Sequence, residues 1–180
     1  IMAGFFVIAA GMMQQFSSYA STGALGAAVG AMGVTVCMIG QLFGKFGLGW
    51  LCDHTGARVS GVVASIFGAA GIAIVLFSVD NAMMFYVGVF LFGIGFAALN
   101  IVPPMACRQA FGQKDYANIF SMVATGLNVF SGFSALIYAQ IFDITGSFAG
   151  CFYLIIGFYV VTLICSLVIV PMGRRSWAKK

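Results

Sequence analysis

Charge is what this sequence has least of. Of its 180 residues, eight are Lys or Arg and four are Asp or Glu, only 7% in all. A soluble domain is usually about a quarter charged. With 62% hydrophobic residues and a mean hydropathy of +1.10, the chain cannot cover a surface with polar groups, so lipid must be its solvent. Other scarcities narrow the chemistry. The single histidine, His54, excludes a histidine cluster. The five cysteines, Cys37, Cys52, Cys107, Cys151 and Cys165, are odd in number and form no CxxC. Most lie in apolar runs, where cysteine acts as a small buried hydrophobe. No nucleophile–base–acid set, phosphate-binding loop or dinucleotide fingerprint is present. An enzyme is therefore not expected, and neither is a catalytic residue, a metal site, a cofactor or a nucleic-acid partner.

What the chain does have is apolar length. A membrane span needs about 20 mostly apolar residues. Six candidates satisfy this: 1–18, 24–51, 59–79, 83–106, 117–140 and 148–171, followed by a basic tail at 173–180. The fold class is thus all-α and membrane-embedded, with short connections that make consecutive helices antiparallel neighbours. Apolar sequence begins at once from Ile1, with no charged leader and no small-residue cleavage site, so the chain reads as if entered partway through a longer protein. Arg58, Arg108, Lys114, Arg174, Arg175, Lys179 and Lys180 all fall on one side of this topology, and the opposite connections carry only Asp80 and Asp143. The excess of basic residues predicts that both ends face the cytoplasm, with the plasma (inner) membrane as the expected location.

An internal echo suggests symmetry. Asp53-His54-Thr55-Gly56 recurs as Asp143-Ile144-Thr145-Gly146, ninety residues later. Each follows the second helix of a three-helix set, on opposite sides of the membrane. An inverted 3+3 repeat would give this arrangement; generic turn chemistry is the alternative. Gly26-x-x-x-Gly30 and Gly40-x-x-x-Gly44 predict close helix packing.

The stretch Gly49-Trp50-Leu51-Cys52-Asp53-His54-Thr55-Gly56-Ala57-Arg58 resembles the loop signature of the major facilitator superfamily. His54 and Ala57 stand where that signature usually has bases. The stretch from Ala139 to Phe148 looks like the same family's link between its last two helices. The resemblance covers the whole chain and implies one half of a facilitator fold, the C-terminal six-helix bundle, partnered by an N-terminal half on the same or a separate chain. It implies a gating role for Gly49, Asp53, Gly56 and Arg58, through close approach at Gly49 and pairing of Asp53 and Arg58. A plain solvated turn is the other reading of those residues.

Lys45 is the one base expected inside a helix. It lies eight residues before Asp53, about 12 Å along the axis, with Gln41 one turn earlier on the same face. Such a lysine either snorkels to the membrane edge or faces a wet cavity. Here a narrower resemblance appears, to the oxalate/formate antiporter and monocarboxylate transporter families. Those families place a substrate-binding arginine four residues before the motif glycine, the distance from Lys45 to Gly49. The segments Asn100 to Pro104 and Phe111 to Tyr116 are similar to the same families. Gln41 stands where the monocarboxylate carriers have an aspartate, which departs from their proton-coupling pattern. The resemblance implies a secondary transporter for a small organic anion, a mono- or dicarboxylate, with Lys45 and Gln41 as substrate-binding residues. Thr125 and Asn128 would face them across the cavity; interhelical hydrogen bonding is the alternative for both, and Gln14 and Gln15 carry the same ambiguity. A carrier for drugs or other neutral or cationic solutes, with Lys45 incidental, and a non-transporting membrane subunit are the competing readings.

Overall fold

The computed structural model describes residues 7–8, 11–22, 26–78, 81–111, 116–146 and 149–177. The Gln14 and Arg58 side chains and those of residues 165–177 fall outside that description, as do Asp80, Lys114 and the last three residues. Every described segment is helical. A 3-10 turn at Gly11–Gln14 leads into α1 (Gln15–Thr22); then come α2 (Ala27–Thr55), α3 (Ala57–Phe77), α4 (Ala82–Phe111), α5 (Tyr116–Thr145) and α6 (Ala149–Trp177). Among the described residues, four stretches are long and apolar enough to cross a membrane: Ala27–Thr55, Val59–Phe77, Ala82–Met105 and Tyr116–Ile144. In α6 the apolar stretch is the shorter Gly150–Ile164.

The helices run further than hydropathy predicts. The expected break from Asp53 to Arg58 shrinks to Gly56 alone, so Asp53 closes the last turn of α2 and Arg58 opens α3. Arg108 lies within α4, Asp143 within α5, and Arg174 and Arg175 within α6. Lys45 is therefore not the only base in a helix, as the sequence suggested. It remains the one far from an end, ten residues from Thr55, or about 15 Å. Hydropathy locates where lipid contact ends, whereas a helix ends where the backbone is forced out of it. Glycine does this at both D-x-T-G sites: Gly56 has φ 89° and Gly146 has φ 62°. Each donates its N–H to the carbonyl four residues back, Cys52 at 2.9 Å and Phe142 at 2.8 Å. The echo in sequence is thus an echo in local geometry.

The first segment departs most from a simple span. Of the expected helix 1–18, residues 1–6, 9 and 10 fall outside the described residues; what is described passes from Val7-Ile8 through the 3-10 turn into α1 and ends at Thr22. The Tyr138 hydroxyl of α5 donates to the Ile8 carbonyl. A Cβ on Gly11 would strike Ser134 and Tyr138 of α5. The tightened turn therefore abuts α5 where only a glycine fits.

The core forms around α4, which packs along α2 on one side and α3 on the other. Glycine makes both contacts close. Cβ atoms added at Gly40 or Gly93 would collide with the carbonyls of Phe90 and Cys37 respectively, and one at Gly44 would come within 2.8 Å of Ala97 and Ile94. Gly71, Gly88 and Gly95 play the same part between α3 and α4. Gly40-x-x-x-Gly44 is thus a packing motif, as expected. In Gly26-x-x-x-Gly30 only Gly30 packs closely, against Ala20 and Ser17, while Gly26 precedes α2 with φ 86°. Aromatic rings seal α1 onto the bundle: Phe16 meets Phe92 edge-on at 5.1 Å, and Tyr19 meets Phe152 at 4.9 Å. Ser60 donates to the Leu48 carbonyl at 3.1 Å, tying α3 to α2. Helix α5 stands apart, with 6% of its apolar window buried against 44% for those of α3 and α4.

Gly93→Val is expected to destabilise the bundle by roughly 1–3 kcal/mol through overpacking against the α2 backbone. Gly47→Ala, whose Cβ meets nothing within 4 Å, should stay within about 0.5 kcal/mol of wild type. Thermal unfolding in detergent reads both, and equal midpoints would refute the packing assignment. Tyr138→Phe removes the bond to Ile8 and should cost about 1 kcal/mol in the same assay.

Candidate functional site

Lys45 is exposed near the middle of α2, and Gln41, one turn earlier, is half-buried. Their position around the helix follows from the packing. Gly30 faces α1, and Gly40 and Gly44 face α4. At about 100° per residue, Gln41 and Lys45 fall on the α1 side of the contact with α4. Phe43, whose ring lies 6.2 Å from that of Phe90, falls on the other side. The exposed arc of Ile39, Leu42, Phe43, Phe46 and Trp50 is an apolar surface of the kind lipid covers. Lys45 sits at the margin of that arc, not in its centre.

The other end of α2 carries the motif residues. Asp53 and His54 are exposed, and Gly49 and Gly56 are half-buried. A Cβ on Gly49 would meet nothing within 4 Å, so no described element approaches closely there. Gly56 forms the sharp break between α2 and α3. The Arg58 side chain is outside the described residues, so the expected pairing with Asp53 falls there too. His54 Nδ1 lies 2.9 Å from the Trp50 carbonyl, and the His54 and Trp50 rings are tilted by 33° with centroids 4.5 Å apart.

Thr125 and Asn128 are both exposed on α5. They belong to a longer stripe at helical spacing: Asn118, Ser121, Thr125, Asn128, Gly132, Ala139 and Asp143, all exposed. The hydroxyls satisfy themselves within the helix, Ser121 on the Asn118 carbonyl at 2.8 Å and Thr125 on the Ser121 carbonyl at 2.9 Å. The Asn128 amide has no such partner among the described residues. Helices α2 and α5 share no extended contact, so Lys45 and Gln41 are not brought against Thr125 and Asn128.

What the fold does assemble is a cavity of about 270 Å³ where Val7, α4 and α5 meet. Its polar lining is Asn100, Asn128 and Ser131; Leu99, Pro104, Phe120, Ala124 and Leu127 complete it. Asn128 was expected at a site. Asn100 and Ser131 were not, although Pro103-Pro104 inside a predicted span is a readable sign of backbone opened for a purpose. Of the cysteines, Cys37, Cys52 and Cys151 are buried and Cys107 is half-buried, all as free thiols, in keeping with their reading as small hydrophobes.

No protein-family model and no curated protein matches the chain. Among solved structures, the crystal structure of an auto inhibited POT family peptide transporter matches 97% of the chain with a TM-score of 0.70 at 21% identity. The chain shares the fold of the matched part of that transporter. The chain spans about a third of that transporter, 35% of its length. At this identity the likeness is one of fold. It lends no support to the narrower resemblance to the oxalate/formate and monocarboxylate families.

The stripe on α5 generates a direct test. In membranes, with the native cysteines replaced, Thr125→Cys and Asn128→Cys should react with a membrane-impermeant maleimide faster than Met122→Cys and Phe133→Cys. The latter pair lie on the apolar flank, and equal rates at all four positions would mean that the polar stripe faces lipid.

Proposed function

We propose that this chain forms one half of a secondary active transporter that moves a small carboxylate-bearing solute by alternating access. The observation that carries this reading is Lys45, exposed about 15 Å from the end of α2 on the flank turned toward α1. Inserting a lysine at membrane depth costs roughly 2.5–3.5 kcal/mol, less when it borders water. A cavity between this bundle and a partner half would supply that water, and a bound carboxylate would supply the counter-charge. Desolvation disfavours a bare ammonium, so the site favours an anion when the cavity closes. Gln41 adds an amide one turn away, and the exposed stripe of α5 with Thr125 and Asn128 would border the same water without touching α2. The partner is an N-terminal six-helix half, on the same or a separate chain. Gly49, Asp53, Gly56 and Arg58 form the cytoplasmic hinge against it, with both ends of this chain on that side of the inner membrane.

The carboxylate belongs either to a mono- or dicarboxylate, as the lysine-to-glycine spacing suggests, or to a short peptide. The peptide reading is favoured by one observation, the fold shared with a peptide transporter. In the full-length transporter, Lys45→Gln should abolish uptake of the anionic solute while leaving membrane insertion intact. Lys45→Arg should retain part of it, because charge is kept while geometry changes. Uptake of radiolabelled dicarboxylates and dipeptides into proteoliposomes separates the two solute classes. Normal uptake by Lys45→Gln for both would leave Lys45 as a snorkelling residue and remove the basis of the reading.

A further inference from the structure

The cavity beside Pro104 differs chemically from the surroundings of Lys45. Proline has no N–H and cannot close the helical bond to the carbonyl four residues back. Pro103 and Pro104 sit inside α4, so the carbonyls of Leu99 and Asn100 lose their regular donors. Both residues line the cavity. The helix itself continues to Phe111, so these two carbonyls are left with partial negative charge and no regular donor at residues that border the space. Three side chains add oxygen atoms around them, the amides of Asn100 and Asn128 and the Ser131 hydroxyl. Neither amide makes a hydrogen bond to another described residue. The remaining lining, Val7, Leu99, Phe120, Ala124 and Leu127, is apolar and lowers the local dielectric, which strengthens whatever electrostatic contact is made.

No lining residue is charged. Acceptors outnumber donors, because the two freed carbonyls can only accept while each amide does both. An anion has no counter-charge here, and a divalent ion would lack the carboxylates that such ions usually recruit. Neutral oxygens beside helix carbonyls that prolines leave without donors suit a monovalent cation. We propose that the cavity formed by the opened carbonyls of Leu99 and Asn100 with Asn100, Asn128 and Ser131 is a monovalent-cation site, occupied by a free alkali ion or by the ammonium end of a solute. The volume of about 270 Å³ exceeds a bare alkali ion, so such an ion keeps part of its water shell, each water filling about 30 Å³. Lys45 does not line this cavity, so the site needs no charge from it and stands whether or not Lys45 binds an anion, although Asn128 is common to both readings.

The test measures thermal stability of the purified chain in detergent at constant ionic strength. Sodium, potassium, methylammonium and the bulky choline are compared as chlorides. A cation at tenfold its dissociation constant should raise the midpoint by about 3 °C relative to choline. A rise with sodium or potassium identifies a free ion as the occupant, and a rise with methylammonium alone identifies the ammonium of a solute. Equal midpoints in all four salts overturn the proposal. Asn128→Ala and Pro104→Ala should each remove most of the rise, the latter because it restores a donor to the Asn100 carbonyl without emptying the core. A rise that survives in both variants places the cation elsewhere and overturns the assignment.

Discussion

Close backbone contact between α2 and α4 is the constraint on which the rest of this bundle depends. Lipid tails are as apolar as leucine, so membrane helices gain little from burying apolar side chains and associate through packing at short range. Here the short range is supplied by glycines: Gly40, Gly44 and Gly93 bring one backbone against the other, and Gly71, Gly88 and Gly95 repeat the device toward α3. With α4 clamped between α2 and α3, large side chains are turned outward along the far arc of α2. The flank with Gln41 and Lys45 is left toward α1. The orientation of the candidate binding lysine is thus a consequence of where the glycines lie.

The same arrangement leaves α5 outside the clamp. It touches its neighbours along limited lines, at Tyr138 to Ile8 and at Gly11 against Ser134. A helix with a continuous polar and small-residue stripe is costly against hydrocarbon, because lipid offers its amides no partner. The hydroxyls of Ser121 and Thr125 avoid that cost by bonding back to their own helix; Asn128 has no comparable route. Such a helix is suited to border water or another protein surface. An unfilled wall of this kind is what one half of a two-part transporter would present, which is why the weak packing of α5 and the depth of Lys45 support a single reading.

Much of the fold was legible in composition alone. Too little charge for water and repeated apolar runs led to an all-helical membrane chain, and the runs fell within the observed helices over most of their length. Helix ends were less legible. Arg58, Arg108 and Asp143 look like loop residues because charge marks the water boundary, yet nothing in an arginine or aspartate stops a helix. At the two D-x-T-G sites Gly56 and Gly146, with positive φ, do so. The close fit at Gly11 was hidden for another reason: the side chains it abuts, Ser134 and Tyr138, are far away in sequence. The site was legible residue by residue and not as an assembly. Lys45 announced itself by its charge and Asn128 by its amide. That α2 and α5 make no extended contact, so that the two are not neighbours, is a property of packing.

Two kinds of polarity are therefore kept apart in this bundle. Lys45 contributes a full positive charge on α2, where a carboxylate would complete it. The opened carbonyls of α4 contribute partial negative charge beside α5, where a cation would. Lys45 does not line the cavity beside Pro104, so the two stand apart, and each becomes dependent on a ligand of its own where water is excluded. Closure over an empty pair would strand an ammonium on one side and unbonded carbonyls on the other. Closure over a carboxylate and a cation would satisfy both. Coupled movement of two solutes needs no ion pair inside the protein on this arrangement, only that neither site be buried unfilled.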